Sequence, residues 1–248
     1  MPRVFPEQPS LRQVSYQEVV VVIPAHDEAQ SLPTCLKAVL TAGACLSIPV
    51  RTVVVLDSCS DDSRRLGGRF GSDVHFVEID AGNVGAARAA GFSYARSAWG
   101  ADMDQSTIWF ATTDADSVVD PDWLIRQTAS GADVVLGVVR IANWRHFPAA
   151  AIRRYLAAYR AKRRPDGHGH VHGANMGFRA ETYWHVGGFA SLPNDEDVDL
   201  VRRFEEQGYR IDRDGRLSVV TSARQVGRAP HGFAAHLKSV RSAQRDPA

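Results

Sequence analysis

A run of β-branched residues near the N-terminus constrains the fold of this chain most strongly. Residues 19–23 read Val-Val-Val-Val-Ile without a polar interruption, which is typical of a strand buried on both faces of a parallel sheet. Four further segments, at residues 50–56, 74–79, 108–113 and 134–139, are also predicted to be strands. Segments of helical periodicity separate most of them, as at residues 32–40. This alternation predicts an α/β fold with a doubly wound, mostly parallel sheet flanked by helices.

The chain length fits one large α/β domain or two small ones. The chain has 248 residues, of which 44% are hydrophobic and 23% charged, and a net charge of +1 that gives no sign of a nucleic-acid partner. Cys35, Cys45 and Cys59 lack metal-ligand spacing and indicate a reducing compartment. No apolar run reaches the ~18 residues of a membrane span, and residues 1–10 lack the apolar core of a signal peptide. We therefore expect a soluble, cytoplasmic domain over residues 16–240, with flexible segments at 1–15 and 241–248.

Two carboxylates follow the fourth predicted strand. Asp114 and Asp116 are one residue apart, and alternate side chains of an extended segment point the same way. Two close negative charges repel each other unless a cation neutralises them, and carboxylate oxygens suit Mg²⁺ or Mn²⁺. A metal with few protein ligands keeps coordination sites for phosphates. The pair therefore predicts a metal-bridged diphosphate site, although such pairs also occur in ordinary solvated loops.

Acidic residues also follow the first two predicted strands. Asp27 and Glu28 follow the first, and Asp57, Asp61 and Asp62 end the second. Ligands of doubly wound sheets bind beyond the carboxyl ends of the strands, and none of these ends carries the Gly-x-Gly-x-x-Gly of dinucleotide binding. Carboxylates repel phosphates but accept hydrogen bonds from a base or a ribose. The pattern therefore predicts a nucleotide whose base lies near the first two strand ends.

A further group of acids opens a helix near residue 196. Asp195, Glu196, Asp197 and Asp199 fill four of five positions, which is more than favourable charge at a helix N-terminus requires. One of these carboxylates is a candidate general base that takes a proton from an incoming hydroxyl.

A predicted helix at residues 148–162 precedes a stretch rich in histidine and glycine. The helix and its end carry several cations: Arg153, Arg154, Arg160, Lys162, Arg163 and Arg164. They indicate either a solvated face, or a docking surface or site for an acidic group of an acceptor. His168, His170 and His172 alternate with other residues after the helix. Because glycine flanks His168 on both sides, we expect a flexible loop over the site rather than a rigid metal site.

Five blocks, in this order, resemble the family 2 glycosyltransferases, which have the GT-A fold. Residues 22–28 resemble the family's opening strand and its Pro-Ala-x-Asn-Glu turn. Residues 57–63 resemble the Asp-Asp-Gly-Ser-x-Asp loop but depart from it at Ser58 and Cys59, and residues 83–88 resemble a shortened Asn-x-Gly-x-x-x-Ala-Arg block. Residues 114–116 match the metal motif, and residues 187–189 with 196–200 match Gly-Gly-Phe…Glu-Asp-x-x-Leu. The resemblance covers nearly the whole domain.

The resemblance implies a single GT-A domain that acts as a metal-dependent hexosyltransferase. The implied donor is a nucleotide-diphospho-sugar, with a UDP-sugar favoured and a GDP-sugar possible, and the implied acceptor bears a hydroxyl. The implied donor-binding residues are Pro24, Ala25, Glu28, Asp57, Arg88, Asp114 and Arg228. The implied metal residues, for Mg²⁺ or Mn²⁺, are Asp116, Asp114 and His231. Asp197 is the implied base of an inverting displacement, with Glu196 beside it in the catalytic set.

Departures from the family pattern narrow the expected activity. Processive synthases carry Gln-x-x-Arg-Trp, whereas Arg228 is followed here by Ala229, so we expect a non-processive enzyme. A retaining transferase of the same fold and a non-catalytic nucleotide-sugar-binding module remain alternatives. A sugar-nucleotide pyrophosphorylase is disfavoured, because residues 24–29 contain no glycine to hold a triphosphate and carry acids instead.

Overall fold

The computed structural model describes residues 15–99, 104–141, 143–145, 147–165 and 167–222. The strands are β1 (Glu18–Ala25), β2 (Val50–Asp57), β3 (Val74–Ile79), β4 (Ile108–Thr112), β5 (Ser117–Val119), β6 (Val134–Ile141), β7 (Arg163–Arg164), β8 (Gly167–His168), β9 (Met176–Arg179) and β10 (Ile211–Thr221). The helices are α1 (Leu32–Ala44), α2 (Val84–Trp99), α3 (Trp123–Ala129), α4 (Ala149–Ala161), α5 (Ala180–His185) and α6 (Glu196–Glu206).

Eight strands form one sheet in the order β3-β2-β1-β4-β9-β6-β10-β5. The pairs β3–β2, β2–β1, β1–β4 and β6–β10 are parallel, whereas β9 and β5 run antiparallel to their neighbours. β7 and β8 form a separate two-stranded ribbon. The predicted α/β fold with a mostly parallel sheet is therefore confirmed.

The central strand β1 explains why its sequence is apolar throughout. Val19, Val21 and Ile23 face a core cluster that includes residues of α1 and α3, and Val20 and Val22 face a second cluster with α2, α5 and α6. Alternate residues of a strand point to opposite faces, and both faces here are covered by helices. Each fully buried valine or isoleucine contributes on the order of 1.5–3 kcal/mol, so the position of β1 at the centre of the sheet is strongly determined.

Two short elements carry little signal in the sequence. Residues 176–179 form β9, an inner antiparallel strand, before the short helix α5, and none of the predicted strands covers them. The segment after β2 forms a 3₁₀ helix at Asp62–Leu66. Both are short segments, in which side-chain periodicity is a weak signal.

Two further expectations concern membranes and the chain ends. No helix in the described part of the chain is long and apolar enough to cross a membrane. The predicted terminal segments 1–15 and 241–248 lie almost entirely outside the described residues.

Candidate active site

The ends of three adjacent parallel strands bring the predicted acids to one edge of the sheet. β1 pairs with β2 on one side and with β4 on the other. The carboxyl ends of parallel strands lie at the same edge, so the loops after β1, β2 and β4 are neighbours. These loops carry Asp27 with Glu28, Asp57 with Asp61, and Asp114 with Asp116. Pro24 and Ala25, the last two residues of β1, are buried and pair with Val55 and Leu56 of β2.

The aspartates in the loops after β1 and β2 accept hydrogen bonds from backbone N–H groups. Asp27 Oδ1 accepts the N–H groups of Ser60 (2.6 Å) and Asp61 (3.0 Å), and these hydrogen bonds lower the pKa of Asp27. Asp61 Oδ2 accepts the N–H of Ala29 at 2.8 Å. The carboxyl of Glu28, which is 9% exposed, accepts the hydroxyl of Ser31. These bonds join the loops after β1 and β2 to each other and to the start of α1.

Asp57 organises the loop between β3 and α2. Its Oδ1 accepts the N–H groups of Ala81 and Gly82, both at 2.8 Å, and its Oδ2 accepts that of Asn83 at 2.7 Å. The hydroxyl of Ser58 also donates to Oδ1 at 3.1 Å. Each oxygen of a carboxylate has about two acceptor sites, so Oδ2, which accepts the N–H of Asn83, retains room for about one further donor. The predicted contact of Asp57 with a base therefore has to share this carboxylate with a structural role.

Arg88 is the buried centre of the site. Its side chain is 3% exposed, and its Nη1 and Nη2 donate to Glu196 and, at 2.7 Å, to Asp114 Oδ1. Phe189 of the Gly-Gly-Phe segment lies 5.5 Å from its guanidinium. Burial alone would lower the pKa of Arg88, but the carboxylates of Asp114, Glu196 and Asp197 raise it overall. Arg88 thus joins three segments of the chain, and the most distant partner, Glu196, is 108 residues away in sequence.

This arrangement changes the predicted roles of two residues. Arg88 was expected near the donor diphosphate, yet both of its terminal nitrogens bind protein carboxylates, so it holds the site together instead of presenting a free cation. Glu196 was expected in the catalytic set, yet it is 6% exposed and ion-paired with Arg88. Burial raises the pKa of Glu196, and Arg88 opposes that rise. The ion pair holds the carboxylate of Glu196 against Arg88, and the place of Glu196 in the catalytic set stays a prediction.

The two carboxylates after β4 lie in unlike surroundings. Asp114 is half-buried and pairs with Arg88 through Oδ1, and its backbone carbonyl accepts the thiol of Cys35 on α1 at 3.3 Å. Asp116 is also half-buried, and its Oδ1 accepts the hydroxyl of Thr221, at the end of β10, at 3.3 Å. Arg88 therefore already neutralises part of the charge at Asp114, which leaves Asp116 as the stronger candidate for a metal.

Asp114 and Asp116 fit a hard cation that takes most of its ligands from groups other than these two side chains. Both side chains offer carboxylate oxygens, which Mg²⁺ and Mn²⁺ prefer. Among the described residues, the three side chains whose ligand atoms lie within 4.8 Å of one another are those of Asp27, Cys59 and Asp61, and no such trio includes Asp116. The predicted metal residue His231 and the predicted donor residue Arg228 lie outside the described residues.

Asp197 is held in a fixed orientation at the start of α6. Its Oδ2 accepts the N–H of Gly173 at 2.7 Å, and its Oδ1 accepts the N–H of Val198 at 2.8 Å. Gly173 itself packs against Arg88, since a Cβ at this glycine would lie 2.5 Å from Arg88 Nη2. The candidate base is therefore linked through Gly173 to Arg88, which also pairs with the candidate metal carboxylate Asp114. The backbone contact from Gly173 had no sequence signal beyond the glycine itself.

The histidine segment is packed instead of loose, so the expectation of a flexible loop is wrong for its buried members. His168 and His170 are 2% and 3% exposed. The ring N–H of His168 donates to Leu136 O at 3.1 Å and that of His170 to Tyr159 O at 3.0 Å. The His170 ring also stacks on Tyr159 with 3.7 Å between ring centroids. The glycines next to His168 were expected to make this segment mobile, but in the structure they permit close packing.

A short chain of contacts links helix α4 to the candidate base. Tyr159 Oη accepts the N–H of Val139 at 2.9 Å and shares a hydrogen bond with His172 Nε2 at 3.1 Å. Burial lowers the pKa of His172 to about 4, so its ring is neutral near pH 7. The next residue is Gly173, which donates to Asp197.

Strained backbone is concentrated in the same loops. In the described part of the chain, the non-glycine residues with positive φ are Asp27 (53°), Ser58 (51°) and Asp195 (58°). Each costs on the order of 1–3 kcal/mol unless the surroundings enforce it. All three lie in loops that carry predicted site residues, and such strain is common where a site demands a particular geometry.

Comparisons with known proteins agree with this geometry. The sequence profile of the family described as glycosyl transferase family 2 matches residues 20–187. Among solved structures, the mannosyltransferase PcManGT from Pyrobaculum calidifontis, in complex with GDP-Man and Mn²⁺, gives a TM-score of 0.65 at 18% identity over 95% of this chain and 66% of that chain. TarS 1–349 from S. aureus, in complex with UDP-GlcNAc, gives 0.60 at 13% identity over 90% and 64%.

These matches differ in what they establish. At such identities the structural likeness shows the fold, and this chain spans no more than about two thirds of those solved chains. A comparison with curated protein sequences gives no significant match. The profile, however, covers more than half of the chain. The chain therefore belongs to glycosyl transferase family 2 and has the GT-A fold that the sequence motifs predicted.

Proposed function

We propose that this chain transfers one sugar from a nucleotide-diphospho-sugar to the hydroxyl of an acceptor, with the help of Mg²⁺ or Mn²⁺. The observation that supports the proposal is the Arg88 cluster, in which Arg88 pairs with the candidate metal carboxylate Asp114 and packs against Gly173, the hydrogen-bond donor to the candidate base Asp197. The neighbours bound to UDP-GlcNAc and to GDP-Man with Mn²⁺ support a nucleotide-sugar donor and a divalent metal. A UDP-sugar is the favoured donor and a GDP-sugar the second choice. Ala229 after Arg228 supports transfer of a single sugar.

The donor diphosphate would lie beside the loop after β4. Asp116 would hold the metal, with Asp114 as a secondary ligand that stays paired with Arg88. The bound metal would neutralise the charge that develops on the leaving nucleoside diphosphate. The base and ribose would lie toward the loops after β1 and β2, where Glu28 and Asp57 are predicted to bind them.

Asp197 would act as the general base of an inverting displacement. Its carboxylate is half-buried, and the N–H groups of Gly173 and Val198 fix its direction. A fixed carboxylate beside the donor can take the proton of an acceptor hydroxyl as that hydroxyl attacks the anomeric carbon. Glu196 would keep the start of α6 in place through Arg88.

A panel of nucleotide sugars, with and without Mn²⁺ and scored by release of nucleoside diphosphate, tests the proposal. Asp116→Ala and Asp197→Asn should each abolish transfer, while Asp197→Asn should bind donor nearly as the wild type does because its role lies in the chemical step. Asp120→Asn is the matched control: this carboxylate is 51% exposed and pairs with Arg140 on the surface, so activity should be retained.

Other outcomes would point to the alternatives. Turnover by Asp197→Asn would exclude the base assignment and favour a retaining route, which the anomeric configuration of the product would identify. Saturable binding of a nucleotide sugar without release from any donor in the panel would favour a non-catalytic binding module.

A further inference from the structure

Helix α4 and the segments that flank it in sequence carry charges of one sign. Residues 134–165 contain no Asp or Glu but eight cations, namely Arg140, Arg145, Arg153, Arg154, Arg160, Lys162, Arg163 and Arg164. All eight side chains belong to exposed residues. The net charge of the whole chain is only +1, so it does not reveal this local excess of positive charge.

Among the described residues, most of these cations lack the acidic neighbours that other arginines of the chain have. Arg51, Arg126 and Arg202 each pair with a carboxylate within 3 Å. Within the described residues, no ion pair joins an acid to Arg153, Arg160, Lys162, Arg163 or Arg164. Like charges that lie close together repel each other and destabilise a compact state. An external polyanion would remove that repulsion.

The shape of the surface favours an extended anionic partner over a small ligand. Six of the eight cations lie on the exposed face of α4, just after its end and on β7, and Ala157 and Ala158 of the helix are also exposed. Small-molecule sites are concave, whereas the outside of a helix is convex. A broad array of cations on an amphipathic helix is the pattern that binds anionic lipid headgroups.

Apolar groups next to the cations favour a lipid surface over a nucleic acid. Trp144 and Phe147 precede α4, are half-exposed, and contact each other at 5.6 Å between ring centroids. Trp144 also contacts Tyr155 of the helix at 5.2 Å. Aromatic residues beside a basic helix face suit the boundary between headgroups and acyl chains, whereas binding to a nucleic-acid backbone needs the cations alone.

We propose that the outer face of α4, with the β7 ribbon, docks the protein onto an anionic phospholipid surface. The opposite side of α4 carries Tyr159, whose contact with His172 leads to Gly173 and Asp197. The docking helix is thus part of the wall beside the candidate base, and an acceptor displayed at a membrane would reach the site from this side. The docking itself is independent of the transfer chemistry, because it is measured without a donor.

Co-sedimentation of the full-length chain with vesicles tests this proposal. The probes are vesicles of phosphatidylcholine alone and of phosphatidylcholine with about one third phosphatidylglycerol, at low salt and at about 0.5 M NaCl. The wild type should bind only the anionic vesicles, and high salt should release it. Each cation near such a surface increases partition about fivefold, so the variant Arg153→Gln/Arg160→Gln/Lys162→Gln/Arg163→Gln should bind on the order of several hundred-fold more weakly.

A variant with the same loss of charge elsewhere is the control. Lys37→Gln/Arg65→Gln/Arg69→Gln/Arg216→Gln also removes four exposed cations and should bind anionic vesicles nearly as the wild type does. Circular dichroism and urea unfolding of both variants would exclude loss of folding as the cause. Equal binding by the two variants would overturn the proposal, as would failure of the wild type to bind anionic vesicles. Salt-sensitive binding to duplex DNA without binding to vesicles would overturn it too, in favour of a nucleic-acid surface.

Discussion

Replacing Arg88 by methionine removes the cation that lies between two acids of the site. Methionine retains much of the length of the apolar stem but none of the charge. The Glu196 side chain, 8% exposed, would then be a buried carboxylate without a partner, and breaking a buried ion pair in this way costs about 3–5 kcal/mol. Asp114 is 38% exposed, so water screens it and its lost contact adds little. We therefore expect Arg88→Met to lower the free energy of unfolding by about 3–5 kcal/mol.

The loss should depend on pH. Burial raises the pKa of Glu196 above its ordinary 4.5, and Arg88 opposes that rise, so in Arg88→Met the carboxyl should keep its proton to a higher pH. A carboxyl whose pKa is higher in the folded state stabilises the fold below its unfolded pKa and loses this contribution as pH rises through the folded pKa. The difference in stability between wild type and Arg88→Met should therefore shrink as the pH falls from 8 toward about 4.5.

Urea unfolding followed by tryptophan fluorescence, repeated across this pH range, measures the effect. Arg202→Met is the matched control: its guanidinium is 57% exposed and pairs with Asp199 and Glu206, so its loss should cost less than about 1 kcal/mol. Arg88→Met/Glu196→Gln should recover much of the loss, because no buried charge remains unpaired. A loss for Arg88→Met no greater than that for Arg202→Met would refute the role of Arg88 as the buried centre of the site.

Three further changes test other contacts. Asp57→Asn should cost about 1.5–3 kcal/mol in urea unfolding, because it weakens hydrogen bonds from backbone N–H groups to a charged acceptor. Burial raises the pKa of Asp57, but these hydrogen bonds outweigh burial and lower it overall. The wild type should therefore lose that stability as the pH falls through the folded pKa, below 3.8, whereas this variant should not. Gly173→Ala should cost about 1–3 kcal/mol by thermal unfolding, because its Cβ would lie 2.5 Å from Arg88 Nη2, and an unchanged melting temperature would contradict the close packing. Tyr159→Phe leaves the buried N–H of Val139 without its hydroxyl acceptor and removes a hydrogen bond to His172. It should cost about 1–3 kcal/mol by the same measurement, whereas a neutral effect would show that the hydroxyl is dispensable.

Much of the fold could be predicted because its signals are local. The β-branched run of β1 and the helical spacing of α1 depend on which side chains face the core, and that is written in short stretches of sequence. β9 was missed because it is four residues long and contains a glycine. Its place between β4 and β6 is decided by pairing with distant strands, which no local pattern encodes.

The candidate site divides in a similar way. The sequence alone determined the family, the order of the motifs and the acids at three strand ends, because strand direction sends those acids to one edge of the sheet. Tertiary structure alone decided what each carboxylate faces. Arg88 had the signature of a donor contact, yet it is buried between Glu196 and Asp114 and pairs with both. The histidine segment had the composition of a loose loop, yet aromatic stacking and backbone hydrogen bonds pack it beside the site. The partners of Arg88 lie 26 and 108 residues away in sequence and those of the two histidines 11 and 32 residues away, so the energy that fixes these side chains exists only in the folded chain.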